Sequence, residues 1–153
     1  VPRTTGGLSI EMEGLMETLQ AVRGVEADLR PGVNNEIRQA AEKSAGELVS
    51  ELHSSAASSG VPVASRVASS AKVKRDRIPT VSIGGSTRVG RRGAPAGSLV
   101  WGSEQGPKGS TNHWAVPPSS GYWIKPAVER AGPKAVETFR YALADIYRKH
   151  GLL

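Results

Sequence analysis

Three patterns point to a small α+β domain: an alternating apolar segment near the start, a long apolar stripe at helical spacing, and a second such stripe close to the end. The 153 residues suit one domain, which should bury roughly 70% of the surface its unfolded chain exposes. We divide it into a strand-and-helix part over 1–60, strands and assembly loops over 61–132, and a C-terminal helix over 133–153.

The first segment, Leu8-Ser9-Ile10-Glu11-Met12, alternates at period two and reads as a short strand that Gly14 ends. Leu15, Met16, Leu19 and Val22 then predict a short helix closing near Gly24. Leu29, Val33, Ile37, Ala41, Ala45, Leu48, Leu52 and Ala56 form one continuous stripe and predict a long helix. Pro31 fits its first turn, and Ser58-Ser59-Gly60 followed by Pro62 should stop it. Ala41 and Ala45 are small enough to admit a close neighbour.

From Val61 the pattern turns to short β-like pieces. Ala71-Lys72-Val73-Lys74 and Thr80-Val81-Ser82-Ile83 predict a hairpin or adjacent strands on either side of Ile78-Pro79. Gly84-Gly85 and the run from Gly90 to Gly97 predict a long loop, read here as an assembly arm. A second irregular stretch, Gly102 to Gly121, holds four Gly and three Pro, with Trp114 inside it and Tyr122-Trp123 just beyond. The last helix is expected from about Pro133, with Val136, Phe139, Leu143 and Ile146 on one face, Arg148 and Lys149 in its final turn, and Gly151 after it.

Composition narrows the function classes. Val, Leu, Ile and Phe make up only about a fifth of the chain, near the level below which compositions tend towards disorder. Eighteen Gly and ten Pro add loops whose ordering costs entropy, so contacts with neighbouring subunits are expected to supply the shortfall. The absence of cysteine excludes disulfides and thiolate metal sites and is compatible with a reducing cytoplasm. No stretch approaches the ~20 apolar residues of a membrane span, and Val1-Pro2-Arg3-Thr4-Thr5 lacks the apolar block of a signal peptide.

Reaction chemistry is not signalled. His53, His113 and His150 lack partners at metal-ligand spacing, and His53 reads as a boundary or surface residue. Gly102 to Ser110 departs from a phosphate-binding loop at Pro107 and Gly109. No nucleophile elbow occurs, and no cofactor or metal is expected.

Charge is unevenly spread: residues 1–60 carry nine acids against five bases, and residues 61–153 five acids against fifteen bases. Lys72, Lys74, Arg75, Arg77, Arg88, Arg91 and Arg92 put seven positive charges into 21 residues against Asp76 alone. Such a segment attracts DNA independently of sequence, or pairs with an acidic face of a neighbour. Lysines on one face of a strand also serve as simple edge protection.

Two segments carry a family resemblance. Leu99-Val100-Trp101-Gly102-Ser103-Glu104 and Gly121-Tyr122-Trp123-Ile124-Lys125-Pro126-Ala127-Val128 resemble the apolar-aromatic-Gly-Ser/Thr segment and the aromatic-x-x-Pro-Ala lead of a siphophage neck or tail-completion family, the gene-product-ten-like minor tail components of actinobacterial phages. The short strand, the helix opening at Gly14-Leu15 and the long helix from Asn35 to Ala57 match that family in pattern. Val100 departs from it, standing where many relatives have an acidic residue, so no charge-based role is carried to that position.

The resemblance implies a small, mainly antiparallel sheet packed against one long N-terminal helix and a C-terminal helix, with long loops. It also implies a non-enzymatic structural subunit of the head-to-tail neck, a tail-completion, tail-terminator or connector protein forming a homo-oligomeric ring, commonly a hexamer, around the DNA channel. Its partners would be adjacent connector and tail-tube proteins. Its place would be the virion neck or tail after assembly in the host cytoplasm, with non-specific contact to channel DNA. Trp101, Trp114, Tyr122, Trp123, Arg88, Arg91 and Arg92 are the expected subunit-interface residues, and Lys72, Lys74, Arg75 and Arg77 the expected contacts to DNA or an acidic partner. Core packing is the other reading of Trp101 and Trp123. The alternative function is a sequence-independent nucleic-acid-binding protein acting through residues 72–92.

Overall fold

The computed structural model describes residues 7–11, by backbone alone, together with 31–75, 78–89, 92–105 and 121–151. Their order is β1 (Gly7–Glu11), α1 (Pro31–Ser58), α2 (Ala64–Ala68), β2 (Lys72–Val73), β3 (Thr80–Gly84), α3 (Ala96–Gln105) and α4 (Ile124–Lys149). The fold is α+β, as the patterning predicts. The expected helix over Leu15 to Val22 lies outside the described residues.

The apolar stripe determines α1. Val33, Ile37, Ala41, Ala45, Leu48, Leu52 and Ala56 are all buried along a 28-residue helix about 42 Å long. Its end is built from serines: Ser58 Oγ donates to the Ser54 carbonyl at 3.0 Å and Ser59 Oγ to the Ala56 carbonyl at 2.8 Å. Gly60 then takes the left-handed conformation, φ 74°, that turns the chain away.

Opposite α1 lies α4, and the two make the most extensive contact in the fold. Arg130 near the start of α4 meets Glu51 late in α1, while Lys149 at the end of α4 meets Glu36 early in α1, so the helices run antiparallel. Ala41, Ala45, Ala127 and Ala135 line the buried faces, and small side chains there let the axes come close. Phe139, Leu48, Leu52 and Trp123 supply the bulk.

The sheet has the order β1-β3-β2 with both pairings antiparallel. Leu8 stands opposite Ile83 and Ile10 opposite Val81, while Lys72 stands opposite Ser82. Val81 and Ile83 are buried and Ser82 only half so, the alternation expected of a strand with one wet face. Ser70 ties the end of α2 to this strand: its Oγ donates to the Val67 carbonyl and accepts from Gly84 N–H at 2.8 Å.

Four expectations are corrected. The last helix begins at Ile124, and Pro133 lies inside it. Proline there leaves the Glu129 carbonyl without its helical donor. Glu129 is exposed, and the face formed by Ile124, Ala127, Ala135, Val136 and Phe139 stays buried across the break. Second, Ala64–Ala68 is helical where β-like pieces were expected, because Ala64, Val67 and Ala68 turn one face to the core. Third, Ala96–Gln105 is a helix that includes Gly102, the residue expected to open an irregular stretch.

Fourth, the segment after Gly84 is no outstretched arm where it is described. Arg88 bridges Pro95, Val89 N–H donates to the Ala94 carbonyl at 3.0 Å, Ala96 N–H to the Thr87 carbonyl at 2.7 Å, and Gly97 N–H to the Gly85 carbonyl at 2.9 Å. The chain doubles back on its own body and leads directly into α3.

Leu48→Ala should cost about 2–5 kcal/mol in urea unfolding, since Leu48 is fully enclosed in a core with few large side chains. A second expectation concerns acid. Hydrogen bonds from Lys149 and then His150 hold the Glu36 carboxyl below the usual carboxylate range. A lowered folded-state pKa means stability present at neutral pH and lost as pH falls through that value. Glu36→Gln should therefore flatten the acid limb of the stability profile and leave its alkaline limb unchanged, read as urea midpoints against pH.

Candidate functional site

The two segments that carry the resemblance meet at one place, the junction of α3 with α4. Glu104, near the C-terminal end of α3, is only 4% exposed and turns its carboxylate to the first turn of α4. Oε2 accepts from Trp123 N–H at 3.2 Å and Ile124 N–H at 2.6 Å, and Oε1 accepts from Lys125 N–H at 3.2 Å. The first N–H groups of a helix have no intrahelical acceptor, and α4 has no side-chain cap from Trp123 at its own N-cap position. A carboxylate at that positive end meets both needs, hydrogen bonding and charge.

Neighbouring groups fix the same junction. Ser103 Oγ accepts from the Trp123 indole N–H at 3.1 Å and donates to the Val100 carbonyl at 2.7 Å. Ser55 Oγ on α1 donates to the Trp123 carbonyl at 2.7 Å, and Tyr122 N–H donates to the Glu104 carbonyl at 3.1 Å. Gly121 has φ 82°, and a Cβ on it would lie 1.7 Å from Glu104 Oε1. Only glycine fits beside this carboxylate. The junction is a lock between helices, and its carboxylate already occupies the helix N-terminus.

The aromatic residues separate into two groups. Trp123 is wholly buried in the chain's own core, which corrects its assignment to a subunit face. Tyr122 is half-buried and packs against that core. Trp101, on α3 one turn before the lock, is 59% exposed, and Tyr141 on α4 is 66% exposed. Trp114 lies outside the described residues.

The basic residues also separate. Arg88 donates to the Gly93 carbonyl at 2.7 Å within the folded-back segment, and Arg92 is exposed on the same turn. Arg77 and Arg91 lie outside the described residues. Lys72, Lys74 and Arg75 are exposed along β2 and just after it. Arg75 also lines a concavity of about 320 Å³ with Asn35, Arg38, Gln39 and Glu42 from α1.

Of the histidines, His53 is exposed as expected, His150 lies 3.2 Å from Glu36, and His113 is outside the described residues. Among the described residues no group of three or more His, Cys, Asp or Glu could hold a metal ion. No helix among them is long and apolar enough to cross a membrane.

Sequence reasoning singled out both motif segments but missed that Glu104 of one caps the helix opened by the other. The pairing spans 19 to 21 residues, beyond the three-residue spacing by which a local capping box is recognised. It also missed Arg38 as a companion of Arg75. Comparison with protein-family models, with curated proteins and with solved structures finds no match.

Glu104→Ala leaves three backbone donors without an acceptor and should lower stability by about 2–4 kcal/mol. Gly121→Ala should cost at least as much, through the clash with the same carboxylate. Both are measured by urea unfolding, and a loss below about 0.5 kcal/mol for Glu104→Ala would show that the carboxylate does not hold α4 in place.

Proposed function

We propose that this chain is a non-catalytic structural subunit of a tailed-phage neck, a tail-completion, tail-terminator or connector protein that works as a ring, commonly sixfold, around the DNA channel. Its partners are further copies of itself and the adjacent connector and tail-tube proteins, and its place is the virion. The observation that carries the reading is the α3–α4 lock. The two segments that resemble the phage family are hydrogen-bonded to each other at one junction, and Trp101 stands outward on α3 one turn before it.

Physical reasoning supports the same reading. Covering Trp101 with a neighbour would remove on the order of 100 Å² of aromatic surface from water, roughly 2–4 kcal/mol. Rigid aromatic anchors of this kind dominate subunit contacts. Trp101 and Tyr141 stand on different helices, α3 and α4, which between them make no extensive contact. Two unlike patches on one subunit are what a head-to-tail contact joins, and such contacts close into rings when the rotation allows.

The mass of the purified protein in solution tests this, alone and with connector or tail-tube protein present. A discrete closed oligomer is expected. Trp101→Ala should dissociate it while changing the unfolding midpoint of the subunit by less than about 0.5 kcal/mol. A strict monomer that never enters virions, even with those neighbours present, would refute the proposal.

A further inference from the structure

We infer that the concavity between the first half of α1 and the segment leaving β2 is a phosphodiester-backbone site, through which the chain holds DNA without reading its sequence. The inference stands apart from the ring reading, because each subunit carries the whole site. Arg38 lines the concavity from α1 and Arg75 from the segment leaving β2. Lys72 and Lys74 precede Arg75 along and just after an edge strand, and by strand alternation they stand on the other side of it, adding positive charge nearby but outside the concavity.

These four cations are not neutralised by a neighbour among the described residues, a state they share with exposed cations such as Lys43, Lys125 and Lys134. On α4, Arg130, Arg148 and Lys149 each have a carboxylate within 3.3 Å. Arg38, Lys72, Lys74 and Arg75 have no side-chain hydrogen bond or ion pair among the described residues. Among the described residues lining the concavity, Glu42 is the one carboxylate, so the two arginines face a single negative charge.

The shape and chemistry favour a phosphate chain. Asn35, Arg38, Gln39 and Glu42 fall at i, i+3, i+4 and i+7, one face of α1. The side-chain amides of Asn35 and Gln39 add neutral donors of the kind that commonly bind phosphate oxygens. Two arginines from separate segments can engage successive phosphates, which suits a linear polyanion better than a small ion. All five described residues lining the concavity are polar, whereas the core of a protein interface is mostly apolar.

The test is fluorescence anisotropy of a labelled duplex DNA with the full-length chain, repeated on a second, unrelated sequence. Equal binding to both is expected, falling with salt by a log–log slope of about −0.9 for each phosphate contacted. For two contacts at this site, raising salt from about 50 to about 200 mM should weaken binding roughly 12-fold. Arg38→Gln and Arg75→Gln should each weaken binding and make the slope shallower, Glu42→Gln should tighten it, and Lys134→Gln, an exposed cation elsewhere on α4, should leave it unchanged.

Opposite signs for Arg38→Gln and Glu42→Gln separate an electrostatic role from a purely structural one, and Arg75→Gln keeps the test open if Arg38→Gln does not fold. The inference is overturned if DNA does not bind, if Lys134→Gln weakens binding as much as Arg38→Gln, or if poly-glutamate binds more tightly than DNA. The last result would assign the surface to an acidic protein segment. The oligomer mass of the same sample is read separately, so loss of the ring and loss of DNA binding are distinguishable.

Discussion

The arrangement of the C-terminal half rests on one buried carboxylate. Glu104 accepts three backbone N–H groups at the start of α4, and in doing so fixes where α3 ends, where α4 begins and what can precede it. The glycine at 121, the indole of Trp123 and the hydroxyls of Ser103 and Ser55 are all placed with respect to that contact. A buried charge is tolerable only when fully hydrogen-bonded, so the group that stabilises the junction also penalises any other arrangement of it. The same contact ties the end of the helix that carries Trp101 to α4.

The rest of the core is held by close approach more than by bulk. The interface of α1 with α4 is rich in alanine, and large enclosed side chains such as Phe139, Trp123, Leu48 and Leu52 are few. Alanine gives up little side-chain entropy on burial, which suits a chain poor in large apolar residues. The ion pairs at the two ends of the helix pair, Glu51 with Arg130 and Glu36 with Lys149, are solvent-exposed and contribute orientation more than energy.

Elements with a long repeating pattern were legible in the sequence. Of the eight stripe positions that predicted α1, the seven within the described residues are buried, and the alternation of Val81 and Ile83 marked β3. Short elements were not, since α2 offers a single helical turn and α3 carries a glycine in its middle. Pro133 reads locally as a helix start, and only the buried face continuing on both sides of it shows that α4 runs through. The lock and the basic concavity were legible in their parts and not in their assembly. Glu104 and Ile124, like Arg38 and Arg75, are joined by the fold alone. The aromatic segment showed its importance but not its division of labour, with Trp123 turned inward and Trp101 outward.

Pro133 gives α4 an unusual mechanical character. The helix lacks one rung of its ladder, between the Pro133 nitrogen and the Glu129 carbonyl, and the two pieces on either side are pinned at opposite ends, one by Glu104 and the other through Lys149 to Glu36. The weakest backbone hydrogen bonding of α4 thus falls at Gly132-Pro133, away from both anchors, and the side-chain packing around it must hold the two pieces in line.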